Sequence, residues 1–86
     1  MTHTDSIKHM YNALVHHYQF DIESLKENEL SDRARFFMVE RAREAMTNQL
    51  HSLSLMAESI GEKDIAGEIL SNAAILGSDG IIPTPM

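Results

Sequence analysis

The chain has 86 residues, no cysteine, seven Lys and Arg against 13 Asp and Glu, and a formal net charge of -6. A chain of this length builds one small core. The absence of cysteine excludes disulfides and thiolate sites. The acidic charge argues against direct nucleic-acid binding, which depends on clustered basic residues. No stretch approaches the roughly 20 apolar residues of a membrane span, and the first residues lack a signal-peptide pattern, so we expect a soluble cytoplasmic protein without a membrane partner.

The first predicted helix covers about residues 4–27. Thr2 or Thr4 can cap its N-terminus, and Asp5 suits the positive end of the helix dipole. Apolar residues recur at helical spacing along one face, at Ile7, Met10, Tyr11, Leu14, Val15, Tyr18, Ile22 and Leu25. A turn is then expected around residues 28–31.

The second predicted helix covers about residues 31–60, with Ser31 as its N-cap and Gly61 as its stop. Neither glycine nor proline interrupts this span. The most regular apolar stripe of the chain runs along it, through Val39, Ala42, Met46, Leu50, Leu53, Ala57 and Ile60.

The third predicted helix covers about residues 63–76 and stops at Gly77. Its apolar face comprises Ile65, Ala66, Ile69, Leu70, Ala73 and Leu76, although Gly67 inside the span weakens the helical pattern. We therefore expect a single helical domain over residues 1–77. Residues 78–86, which contain both prolines, are expected to form a flexible C-terminal tail.

Short connections make neighbouring helices antiparallel, which predicts an all-α, three-helix arrangement around a long central second helix. Reflection of the chain about residues 28 and 29 places Tyr18 near Val39 and Leu14 near Ala42. The first helix should follow the early part of the second, and the third helix its later part. We expect two such chains to form a homodimeric helical bundle.

Two charged residues interrupt the apolar faces, Asp21 on the first helix and Arg35 on the second. The same reflection places them opposite each other, which predicts a partly buried salt bridge. An alternative is that Asp21 caps a new turn beginning at Ile22, with a break in the first helix near Gln19 and Phe20.

All three phenylalanines occur at nearly one level of the predicted hairpin. Phe20 and Phe37 point away from the seam, and Phe36, Phe37, Met38 and Val39 point to four sides of the second helix in turn. An apolar segment of this kind is typical of a helix that is covered on several sides. We therefore predict an interface at Phe20, Phe36, Phe37 and Met38, for a second copy or another protein partner. The alternative is that these are isolated exposed aromatic residues.

The polar residues give little support for catalysis. His9, His16, His17 and Asp21 are candidate metal ligands because of their helical spacing, but no second ligand pair accompanies them. Glu40 and Glu44 could serve as paired carboxylates, although Arg41 and Arg43 favour ion pairs instead. We find no phosphate-binding loop or nucleophile motif, and predict no catalytic residue, no metal and no cofactor.

The sequence thus predicts a small non-enzymatic interaction or regulatory module that acts as a homodimer. One alternative is an acidic decoy that blocks the basic nucleic-acid-binding surface of a partner protein. A second alternative is a histidine-based carrier of a metal or cofactor.

Overall fold

Three α-helices make up the computed structural model, which describes residues 3–86. They are α1 (His3–Glu27), α2 (Asp32–Ser59) and α3 (Lys63–Asp79), and no strand occurs within residues 3–86. The predicted all-α class is confirmed. None of these three helices combines the length and the apolar character that crossing a bilayer requires.

The start of α2 follows its predicted signal. Ser31 is the N-cap, and its hydroxyl oxygen accepts a hydrogen bond of 3.1 Å from the backbone N–H of Ala34. The start of α1 differs from the prediction, because Thr4 lies inside the helix and its hydroxyl donates to Oε2 of Glu62 at 2.7 Å. This bond ties the beginning of α1 to the turn between α2 and α3. Thr2, the other candidate cap, lies outside the described residues.

The predicted stop of α3 at Gly77 is wrong. The helix continues to Asp79, and Gly80 then adopts φ +70°, which favours glycine because it has no Cβ. The N–H of Gly80 donates to the carbonyl oxygen of Leu76 at 3.0 Å. The glycine that ends α3 is therefore Gly80, three residues later than expected.

Residues 81–86 do not form the loose tail that the sequence predicts. Pro83 is buried, and Ile82 and Met86 pack against the core. The side-chain amide of Asn12 holds the backbone of Met86 at two points: Nδ2 donates to its carbonyl at 3.0 Å, and Oδ1 accepts from its N–H at 2.8 Å. The segment is therefore bound along α1, and we refer to residues 81–86 as the C-terminal strap.

One hydrophobic core joins the three helices. Its buried apolar members are Ile7, Tyr11, Val15, Tyr18 and Ile22 of α1, Met46, Leu50, Leu53 and Ala57 of α2, and Ile65, Ala66, Ile69, Ala73 and Leu76 of α3. Helix α2 packs against both α1 and α3. The molecule is elongated, with extents of 45 × 24 × 15 Å and a radius of gyration of 13.9 Å, against about 12 Å for a compact domain of this length.

Candidate interaction surface

Helix α3 does not reach the end of the hairpin that α1 and α2 form. The guanidinium of Arg43 donates to the carbonyl oxygen of Gly77 at 3.3 Å, so the last turn of α3 lies at the level of Arg43. The first turns of α2 and the last turns of α1 extend beyond this level as a two-helix hairpin.

The extended part of α2 contributes nothing to the fully buried core. Every buried residue of α2 lies between Met46 and Ala57, whereas Val39 and Ala42 are only partly buried. A two-helix layer can cover only the sides of the helices that face each other. The other sides of this part of the hairpin are open.

The four predicted interface residues lie on this open part of the hairpin. Phe20 is 68% exposed, Phe36 70%, Phe37 59% and Met38 44%. We refer to these four side chains as the aromatic end. Individual exposed apolar residues are common, but three exposed phenylalanines at one end of a small domain concentrate apolar surface there, which is typical of a binding surface.

One side of the aromatic end has a polar border. The guanidinium carbon of Arg41 lies 5.7 Å from the centre of the Phe37 ring, within the range of a cation–π contact. Arg43 also pairs with Glu40. A hollow of about 430 Å³ separates Phe37 from Gly77 at the end of α3, and Glu44 and Thr47 contribute to its walls.

The predicted salt bridge between Asp21 and Arg35 is wrong. Arg35 donates to three oxygen atoms near the α1–α2 connection: the carbonyls of Leu25 at 3.2 Å and Asn28 at 3.1 Å, and Oδ1 of Asp32 at 3.3 Å. The Asp21 side chain is 55% exposed, and its carboxylate lies 4.0 Å from Nδ1 of His17. Since α1 is continuous from His3 to Glu27, the alternative of a break before Ile22 is also wrong.

The failure of this pair has a geometric cause. The connection comprises residues 28–31, so its centre lies between Glu29 and Leu30, one residue later than the reflection assumed. A shift of one residue in the centre moves the facing positions by two. Arg35 donates to the carbonyl oxygen of Leu25, one turn beyond Asp21 on α1, whereas Asp21 borders a hollow that Ala42 and Ala45 line further along α2.

The candidate metal ligands do not converge. His9, His16, His17 and Asp21 are all exposed, and residues 3–86 contain no group of three or more His, Cys, Asp or Glu side chains arranged to hold a metal ion. The paired carboxylates also separate, because Glu40 pairs with Arg43 while Glu44 is exposed at the hollow beside Phe37.

The sequence analysis missed the polar contacts that hold the C-terminal strap. The Tyr11 hydroxyl donates to the carbonyl oxygen of Thr84 at 3.0 Å and accepts from Nδ2 of Asn72 at 2.9 Å. Burial raises the pKa of Tyr11 above its usual value, so the hydroxyl keeps the proton that it donates. A polar residue beside an apolar face, such as Asn12 or Asn72, was the available signal, but its partner lies more than 60 residues away in both cases.

A second surface that the sequence analysis missed is a groove between α1 and α2. It has a volume of about 580 Å³ and is lined mainly by apolar and small side chains, among them Met10, Ala13, Leu14, Leu53 and Met56. We refer to it as the α1–α2 groove. In the sequence its positions combine apolar residues with uncharged polar residues such as Gln49 and Ser52.

Comparison with known proteins assigns no family to this chain. No protein-family model matches it, and no curated protein and no solved structure shows significant similarity.

Proposed function

We propose that this chain is a protein–protein interaction module that pairs with a second copy of itself through the aromatic end. In the proposed homodimer the two long α2 helices form the centre of a helical bundle, and the α3 helices flank it. The activity of such a module is binding, and it requires no catalytic residue.

The observation that carries this proposal is the exposure of Phe20, Phe36 and Phe37 beyond the point where α3 ends. Burial of apolar surface contributes about 25 cal/mol per Å², so phenylalanine side chains supply much of the association energy in a small interface. A two-fold arrangement brings the same patch of both copies together, so a phenylalanine that is covered on one copy is covered on the other as well.

The proposal is tested by the mass of the particle in solution. Light scattering and sedimentation over a range of micromolar concentrations should give a dimer of about 19 kDa for the parent chain, twice its 9.7 kDa. The change Phe37→Glu places a charge in the middle of the aromatic end and should shift the protein to a monomer. A parent chain that stays monomeric throughout this range would rule out self-association.

A matched control for this variant lies on the same helix. Leu55 is 18 residues from Phe37, which is five helical turns, so both side chains point to the same side of α2. Their exposures are similar, 55% for Leu55 and 59% for Phe37. Leu55→Glu should therefore leave the dimer intact, and its dissociation would show that the effect of Phe37→Glu is not specific to the aromatic end.

Salt dependence separates this proposal from the charge-driven alternative. An interface of phenylalanine side chains should keep its dissociation constant nearly unchanged as salt is raised. An acidic decoy bound to a basic partner should weaken steeply, because exposed charges are screened over a Debye length of about 8 Å at physiological ionic strength.

A further inference from the structure

One side of α2 carries no charged residue over five turns. Positions 38, 42, 45, 49, 52 and 56 alternate steps of four and three residues, so they form one line along the helix. This line, which we name the uncharged line, consists of Met38, Ala42, Ala45, Gln49, Ser52 and Met56. All six are exposed or partly exposed.

The back of the same helix has a different composition. The line that runs through Phe37 also contains Arg33, Arg41, Glu44 and Glu58, so apart from the aromatic end it has the charged residues of a surface in contact with water. The contrast between the two sides is not required by the fold, because neither side belongs to the buried core. A solvent-facing line without charges needs another reason.

Helix α1 has a line of the same spacing beside the uncharged line, apolar at its first two positions and polar at its last two. Met10, Leu14, His17 and Asp21 follow the same alternation of four and three residues. The α1–α2 groove lies between the two lines, with the buried Leu53 in its wall. Met10 is 41% exposed and Met56 38%. Alternating steps of three and four are the spacing of helices that pack in coiled coils and four-helix bundles.

The groove lies on the side of the hairpin that faces away from α3 and the C-terminal strap. Arg43 and Thr47, which contact α3, lie on the opposite side of α2 from Ala45 and Gln49. Asn12, which binds the strap, likewise lies on the opposite side of α1 from Met10. No element within residues 3–86 covers the groove.

The total surface area of the chain exceeds that of a compact monomer of the same mass. The chain exposes 5808 Å², whereas a compact monomer of 9.7 kDa is expected to expose about 5,100 Å². The excess is about 700 Å². A stable interface of standard size removes about 800 Å² from each partner, so one additional hairpin on this side would bring the chain close to the usual value.

We infer that a second copy of this chain binds at the α1–α2 groove. The grooves of the two copies pack against each other to form a four-helix bundle. The inference rests on the proposed function and names the surface that the dimer uses. Met38 belongs both to the aromatic end and to the uncharged line, so the interface is continuous from one to the other. The second copy accordingly has its aromatic end at the same end of the bundle.

The test places a charge in the groove and compares it with the same change elsewhere. Ala45→Glu and Ser52→Glu add a carboxylate to the uncharged line. Ala74→Glu and Ser71→Glu make identical changes at exposed positions of α3, outside the groove. Sedimentation gives the dimer dissociation constant of each variant, and circular dichroism shows that each remains helical.

The groove variants should raise the dissociation constant by about tenfold or more, because each buries an unpaired charge in the dimer. The α3 controls should change it less than threefold. If the groove variants and the α3 controls change the dissociation constant equally while Phe37→Glu still dissociates the dimer, the groove is not the binding surface. The proposal that the dimer forms through the aromatic end would then stand. A parent chain that is monomeric at all concentrations would instead reject the proposed function, and this inference with it.

Discussion

Arg35 and Arg43 perform the same task at two places in the molecule. Each donates hydrogen bonds to carbonyl oxygens at the C-terminal end of a neighbouring helix: Leu25 for Arg35 and Gly77 for Arg43. The last carbonyls of a helix lack partners within it and carry the negative end of its dipole. The two arginines therefore satisfy backbone carbonyls near the ends of α1 and α3.

The first prediction concerns Arg35. Arg35→Gln should lower the free energy of unfolding by about 1–2 kcal/mol, because it removes hydrogen bonds to two backbone carbonyls. Arg33→Gln, at an exposed position two residues earlier, should change it by less than about 0.5 kcal/mol. Urea unfolding of both variants provides the measurement.

Urea unfolding also tests whether Arg35 and Asp21 are energetically coupled. Asp21→Asn should be nearly neutral, and its effect should add to that of Arg35→Gln in the double variant, since the two side chains have separate partners. A coupling energy above about 1 kcal/mol between these residues would contradict the contacts described for them.

The positions of individual polar side chains were the hardest feature to predict from the sequence. The opposition of Asp21 and Arg35 depended on the exact centre of the turn, and an error of one residue there separated them. Apolar residues tolerate such an error, because each stripe carries an apolar residue every three or four positions, so a displaced residue still has an apolar neighbour within one turn. Five of the eight residues predicted for the apolar face of α1 are buried, whereas Met10 is exposed and the predicted salt bridge does not form.

The C-terminal strap is a whole element whose structure the local sequence did not predict. Its six residues contain two prolines and no helical or strand periodicity, so the sequence favours a loose tail. The contacts that bind the strap come from Tyr11 and Asn12 of α1, and Asn72 of α3 supports Tyr11. No local pattern relates these residues to the strap, since they come together only when α1 and α3 fold onto α2.

The second prediction concerns this element. Deletion of residues 81–86 should lower the free energy of unfolding by about 2 kcal/mol, because it exposes the surface under Pro83, removes the acceptor of the Tyr11 hydroxyl and removes the backbone that the Asn12 amide binds. For a domain of this size each 1 kcal/mol shifts the melting temperature by about 4–8 °C. Thermal unfolding followed by circular dichroism measures the shift.

A single substitution isolates the contribution of the backbone clamp. Asn12→Ala should reproduce about half of the loss, whereas Asn48→Ala, at an exposed asparagine of α2, should have little effect. If the deleted chain melts within 1–2 °C of the parent, the strap is not a stabilising element and the original expectation of a loose tail was correct.

At the scale of the whole molecule, the core and the aromatic end lie at different levels of one long hairpin. Periodicity and turn residues predicted the three helices, the two antiparallel connections and the exposed phenylalanines. The α1–α2 groove could not, because its positions read as an ordinary polar flank until the structure shows that α3 covers the opposite side. An uncovered side of a helix can be identified only after the contacts of its other sides are known.

The third prediction follows from this uneven distribution of buried contacts. Segments with few buried contacts open locally at low free-energy cost, and amide hydrogen exchange reports that opening. Residues 50–57 of α2 include buried Leu50, Leu53 and Ala57, whereas residues 33–41 include none. In the monomer, amides of residues 33–41 should therefore exchange much faster than those of residues 50–57.

Dimer formation should remove much of this difference, because a second copy covers the aromatic end and the start of the uncharged line. Raising the protein concentration through the dissociation constant should slow exchange in residues 33–41 by about tenfold or more and leave residues 50–57 nearly unchanged. Phe37→Glu should keep the early segment in fast exchange at every concentration, and Leu55→Glu should behave as the parent does. Equal exchange in residues 33–41 across the whole concentration range would show that the early turns of α2 gain no partner, since protection by a second copy must depend on mass action.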